Sequence, residues 1–582
     1  MSFTVTHSHT KREPYSILCA SGEENCPMDV VDIQYNNPLY DVIFGESHKE
    51  PVEFNQMYSV LNENTVVSQK GRKRNMQVFF KYAPLLDPIH FLIGKYEKEK
   101  EKMQNLPKGN NADDCISKIV QSNNSSYIDN FFNFLSSQLL HHHNISHCID
   151  YFGSNLAIQK KFKYNVYDDL DYLQESDFFL KNANVLYELD ADEMFESQYH
   201  SKNTQSRRPK LCIASEDVCM DDIIAIVDED DHDKGTDNTR EHINGLEEVE
   251  EVQQEKEKDT ITLEPMEEVM YEHEVDMKSL SSSSDDDSVI CNTSDDESDS
   301  DKDVDNNDDE GEIDDEDDDD DDEDDDDDDY EDDSIYAYLY NFPVQMIALE
   351  KCDGTLDELL EYETLNEKEA ASALLQVIFT LIVYQKTFQF THNDLHTNNI
   401  VYKETKKKFL SYRYNKKHYK IPTYGRIYKI IDFGRSIYRY KDKVYCSDSF
   451  APGGDAHGQY NDEPYFNPSK ARLVPNMSFD LCRLGCSMYD FVFDSEAPLP
   501  TKMTELQKTV LRWCEDDYGK NILYKRNGDE RYPNFKLYKM ISRMVHNHTP
   551  ESQLQYPYFS QFLSTHKVSN DVMDIDQLPY YG

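Results

Sequence analysis

The chain has 582 residues and a formal net charge of −56, but 57 Asp and Glu against 6 Lys and Arg fall within residues 216–333, leaving −5 for all the rest. The overall acidity argues against nucleic-acid binding, because phosphate backbones repel such a chain, yet it leaves room for a catalytic unit outside the acidic block. Twelve scattered cysteines without a C-x-x-C pair, a polar start and no long unbroken apolar run exclude a disulfide scaffold, a signal peptide and a membrane span, so a soluble intracellular protein is expected.

Residues 1–37 show no clear period and read as a loose extension. Three β-prone runs follow, Tyr40 to Phe44, Val52 to Tyr58 and Met76 to Tyr82. Tyr127 to Leu140 carries apolar residues at helical spacing, and Cys148 to Gly153 reads as a further strand. The intervening His141, His142, His143 and His147 have no Cys or carboxylate at ligand spacing, which favours a solvated helix end over a metal site. Beyond about 155 the pattern dissolves, and residues 156–334 read as an insertion, disordered from about 216. Between Asp314 and Asp329 every residue is acidic, and such a run repels itself and buries nothing. The block could still take up basic proteins.

Order returns at Tyr336. Val344 to Leu349 is an apolar strand, Thr355 and Glu358 form a capping box, and Asn366 with Glu369 form another before a long helix through Tyr384. Thr391 to Tyr402 then reads T-H-N-D-L-H-T-N-N-I-V-Y, which holds H-x-D-L-x-x-x-N as His392, Asp394, Leu395 and Asn399. Further on comes K-I-I-D-F-G-R, with Asp432, Phe433 and Gly434, and the apolar residues around both motifs predict strands that leave the polar groups on turns. This ordered pair carries what phosphoryl transfer needs: Asp394 to orient a hydroxyl and accept its proton, Asn399 and Asp432 to hold metal ions on phosphates. A Lys- and Tyr-rich stretch between the motifs predicts a surface β-hairpin. Cys482 and Cys486, one helical turn apart in an apolar pattern, read as core.

These motifs, with S-F-D-L-C-R-L-G-C from Ser478, resemble the protein-kinase superfamily and, more closely, the kinase-like proteins of large DNA viruses. The resemblance implies an α+β bilobal fold: a small β-rich lobe over residues 38–155 and the chain after 335, a large helical lobe to 566, and a tail over 567–582. It implies ATP and Mg²⁺ as cofactors and a protein Ser/Thr hydroxyl as acceptor. Lys81, ending Q-V-F-F-K-Y, would clamp the phosphates, and Asp129, one methylene shorter than the usual Glu, would hold Lys81. Glu350, Lys351 and Cys352 would bind adenine through their backbone, and Asp480 would bond the catalytic loop near His392. Three departures stand out: no G-x-G-x-x-G precedes Lys81, Asn393 replaces the Arg that binds a phosphorylated loop, and His396 replaces the usual Lys. They keep open a small-molecule phosphotransferase or an inactive kinase-like scaffold.

Overall fold

The structure, a computed structural model, describes residues 3–9, 29–45, 52–108, 112–190, 335–362, 364–493, 499–565 and 571–582. The expectations made for residues 216–333 lie outside the described residues. The fold is mixed α+β.

Five antiparallel strands make the main sheet, in the order Val30–Gln34, Tyr151–Asn165, Tyr336–Glu350 and Val78–Pro84, with Tyr187–Leu189 beside the first half of Tyr336–Glu350. The second half of Tyr336–Glu350 is buried on both faces, which explains its continuous apolar run. Tyr151–Asn165 continues ten residues past the point where the sequence pattern fades. Its outer half is a lysine-rich stretch whose one fully buried side chain, Phe162, stacks on Phe342 with ring centroids 5.1 Å apart. Pairing with Tyr336–Tyr340 keeps this half extended although its hydropathy does not announce a strand. The segment expected as strand at Tyr40 is instead the helix Pro38–Phe44. Asn37 accepts from the Leu39 N–H, Pro38 opens the first turn, and Gly45 closes the helix at φ 74°.

Both ends of the chain join this fold rather than standing off from it. Phe3 and Val5 are buried, and His7–His9 pairs with Val52–Phe54, whose Phe54 ring stacks on Phe134 of the helix Ser125–His143 at 4.3 Å. Met573–Asp574 pairs with Tyr412–Arg413, and the Tyr581 hydroxyl accepts from the Phe3 N–H at 3.1 Å.

The helix Glu367–Phe388 forms the centre of the helical part. Asn366 and Glu369 cap it reciprocally, and residues from Ala370 to Phe388 are almost wholly buried. By length and composition it could cross a membrane, but 89% of its apolar window is buried inside the protein. Phe379 on this helix packs against Tyr412 at 4.4 Å and Tyr419 at 5.0 Å, the inner face of the hairpin Phe409–Tyr414 and Lys417–Pro422. The helices Phe479–Val492, Glu505–Trp513 and Lys536–Met544 complete this part. Gly485 permits the first two to touch, since a Cβ there would lie 2.7 Å from that of Trp513.

Candidate active site

Alternation along Val78–Pro84 sends Val78 and Phe80 into a core with Val66, Phe152 and Ala348, and Lys81 to the other face. There the Lys81 Nζ donates to Asp129 Oδ2 at 2.7 Å and to Asp432 Oδ1 at 2.9 Å. Burial opposes the charge on Lys81, but Asp129 and Asp432 outweigh it and raise its pKa, so the ammonium is retained. Asp129 is 1% exposed, and its other oxygen accepts from the Phe433 N–H at 2.8 Å and from Asn133 Nδ2 at 2.9 Å. The short side chain suffices because the helix lies close: Ser126 Oγ donates to the Pro84 carbonyl at 2.6 Å and Asn124 Nδ2 to that of Leu85 at 2.9 Å.

The turn carrying Asp394 is held from below. Asp480 accepts from the His392 N–H at 2.9 Å and from the Asn393 N–H at 2.9 Å, while His392 Nε2 donates to the Ile431 carbonyl at 2.9 Å. Asn393 and Asp432 both take left-handed backbone, φ 64° and 63°, so each motif turns sharply at the end of its apolar run. Phe433 is buried against Phe132, at 4.7 Å, and His392, at 5.7 Å, which links the helix bearing Asp129 to the turn bearing Asp394.

Asn399 Nδ2 donates to the Asp394 carbonyl at 2.9 Å and to His396 Nε2 at 3.0 Å. Burial lowers the His396 pKa to about 4, so the ring is neutral and can accept that bond. Burial alone would raise the pKa of Asp394. The charges of Arg435 and Arg483, with a hydrogen bond from the Tyr538 hydroxyl, reverse this and hold the carboxyl well below the usual carboxylate range.

Several contacts at this site had no local signal. Tyr538, from the helix Lys536–Met544, donates its hydroxyl to Asp394 Oδ1 at 2.8 Å and accepts from Arg483 Nε at 2.9 Å. Arg435, directly after D-F-G and so visible in principle, lies 3.8 Å from Asp394 and also pairs with Asp455. Tyr460 donates to Asn393 Oδ1 at 2.8 Å. Asp448 accepts from the Ser125 N–H at 2.9 Å at the start of the helix bearing Asp129, and pairs with Lys118.

The connector after Tyr336–Glu350 is partly committed within the protein. The Glu350 carboxylate pairs with Lys429 at 2.7 Å, the Lys351 N–H donates to the Gln77 carbonyl at 3.1 Å, and the Lys351 carbonyl accepts from Lys403 at 3.0 Å. Burial pushes the Cys352 thiol up to about 12. The histidines near 141 are likewise engaged: His141 with Asp150, His143 with the Tyr581 hydroxyl, and His147 with Tyr412 and the Tyr428 carbonyl.

A half-exposed carboxylate on Asp432 and an amide oxygen on Asn399 make a hard-oxygen pair suited to Mg²⁺, which keeps several waters and needs few protein ligands. Among the described residues no group of three or more His, Cys, Asp or Glu forms a denser metal site.

No family model matches the chain. Over 104 residues, 18% of this chain, it is 28% identical to a serine/threonine-protein kinase haspin homolog of Drosophila melanogaster, and the match spans 18% of that protein's length. The narrower likeness to viral kinase-like proteins has no counterpart in this match, and the similarity reaches a kinase-like superfamily at its broadest level.

Proposed function

We propose that the protein transfers the γ-phosphoryl group of ATP to serine or threonine hydroxyls of a protein, on a bilobal kinase-like fold. The observation carrying this reading is the bridge from Lys81 to both Asp129 and Asp432. A lysine fixed between a buried acid and the acid of D-F-G is a phosphate clamp held ready before any ligand arrives. Asn399 and Asp432 would hold Mg²⁺, which supplies charge neutralisation on the phosphates. Asp394 orients the acceptor hydroxyl and takes its proton as the new P–O bond forms. Tyr538 fixes the rotamer of Asp394, and Asp480 fixes the turn on which it rides. The neutral Tyr460–Asn393 bond and the Asp448 cap support a site assembled without loop phosphorylation.

A second reading, transfer to a small acidic acceptor, draws on Arg435 and Arg483 beside Asp394. Incubation with labelled ATP, Mg²⁺ and casein, beside Asp394→Asn, tests the first reading. Label should enter casein with wild type alone. Equal labelling by the variant, or none by either, overturns it.

A further inference from the structure

His396 stands where the resemblance would place a lysine, and its ring makes a bond that no lysine can make. The backbone on either side of that bond is fixed. The Thr397 N–H donates to Ser487 Oγ at 3.0 Å, the Thr397 hydroxyl donates to Asp357, and the Asn399 N–H closes on the His396 carbonyl at 3.0 Å. The Asn399 carbonyl accepts from the Ile431 N–H at 3.0 Å, so the strand leading to Asp432 sets its place. Asn399 itself is only 7% exposed.

What the backbone leaves open is which end of the Asn399 amide faces outward. A primary amide has an acceptor end and a donor end, and half a turn about its last torsion exchanges them. Only the oxygen end can bind a hard cation. Here Nδ2 donates one hydrogen to the Asp394 carbonyl, at 2.9 Å, and the other to His396 Nε2, at 3.0 Å. Among the described residues no donor is bonded to the remaining Oδ1. Turned over, the amide would set Oδ1 against a carbonyl oxygen and a ring lone pair, and both would repel it. The ring offers that lone pair in the tautomer that carries its proton on Nδ1. A lysine ammonium has three donors and no acceptor, so in the same place it would attract Oδ1 and favour the reversed amide.

We infer that His396 is a positioning residue for the cation: its Nε2 lone pair fixes the Asn399 amide so that Oδ1 is the end left for Mg²⁺. This rests on the Mg²⁺-dependent reading above and deepens it, because that reading gives His396 no task. Groups that orient a metal ligand without touching the metal affect its affinity nearly as strongly as some ligands do.

Mn²⁺ replaces Mg²⁺ in the test, since electron paramagnetic resonance counts free and bound Mn²⁺ directly, with ADP at saturation and no turnover. His396→Leu should weaken Mn²⁺ binding about tenfold or more. His396→Gln, whose side-chain oxygen can accept the same bond, should bind Mn²⁺ as wild type does. In Asn399→Asp both outer atoms are oxygens, so turning the group over changes nothing; on that background His396→Leu should not weaken Mn²⁺ further. Unchanged binding by His396→Leu, equal losses in the Leu and Gln variants, or the same loss on both backgrounds overturns the role. If Asn399→Asp binds no Mn²⁺, the Leu and Gln variants decide the matter by the same comparison. If wild type binds ADP but no Mn²⁺, the positioning role falls and the nucleotide reading stands. If it binds neither, both fall.

Discussion

Two lysines in this protein pair with acids, and their differences separate a closed structural pair from the proposed phosphate clamp. Lys429, on the strand Arg426–Ile430, is 5% exposed; its ammonium donates to Glu350 at 2.7 Å and to the Cys148 carbonyl at 3.0 Å. Lys81 is 24% exposed and shares its ammonium between a buried acid and the half-exposed Asp432. Both follow β-prone apolar residues, so the argument that selects Lys81 from its sequence context selects Lys429 equally well. Burying an ammonium costs several kcal/mol unless a partner offsets it, and both sites meet that need. Lys429 is closed, with every contact inside the protein, and it fastens the connector to the strand leading to Asp432. Lys81 is open on one side. Pairing keeps a lysine buried; an unfilled side lets it act.

Replacing each lysine by methionine should separate the roles. Lys429→Met strands the Glu350 carboxylate in a buried place and should cost roughly 3–5 kcal/mol of stability, read from urea unfolding, with the folded fraction still active. A wild-type unfolding midpoint would break the comparison by making the closed pair dispensable. Lys81→Met also leaves the buried Asp129 without its cation, so its distinguishing effect is on rate: the folded fraction should transfer phosphoryl groups slower by two or more powers of ten, about 3 kcal/mol of transition-state stabilisation. Exposed Lys95, which contacts His90 at 3.2 Å, is the control, and Lys95→Met should leave the rate unchanged. Equal rates in the Lys81 and Lys95 variants would put the phosphate clamp elsewhere.

Acid should act first on the closed side. His147 Nδ1 donates to the Tyr428 carbonyl beside Lys429, and burial, with help from Lys429, lowers its pKa to about 4. The folded state therefore favours neutral His147, and the unfolded chain binds the extra proton. This contribution is complete above the unfolded value near 6.5 and is lost as pH falls from there toward 4, by up to roughly 3 kcal/mol. In His147→Gln the stability–pH slope over that interval should flatten; an unchanged slope would assign the acid sensitivity to other groups.

The open side can be probed more gently through Tyr538. Tyr538→Phe removes a donor to the Asp394 carboxylate while keeping the ring, so kcat should fall about tenfold for one lost charge-assisted bond, and the acid limb of the kcat–pH profile should move upward. A stability loss with an unshifted limb would make Tyr538 a packing residue alone.

Much of the site was legible because its information is local. The capping boxes at Thr355 and Asn366 specify helix starts through bonds three residues apart, and both form. The H-x-D-L-x-x-x-N turn and the hairpin between the motifs follow from alternation and turn chemistry over short spans. Tyr40 to Phe44 is an apolar run that suits a strand by composition, but the Asn37–Pro38 helix start prevails over it, because the cap hydrogen bond and the proline fix the first turn.

What the sequence by itself determined were the H-x-D-L-x-x-x-N and D-F-G stretches, the caps and most element types, because hydrogen bonds within a few residues and side-chain periodicity dictate them. Only the tertiary structure decided which groups converge on them. Phe3 meets Tyr581 across 578 positions, Tyr538 reaches Asp394 across 144, and Asp448 caps a helix starting 323 residues earlier. No periodicity encodes such pairs. They exist because a buried donor without an acceptor is costly, so packing brings partners together wherever the chain has placed them.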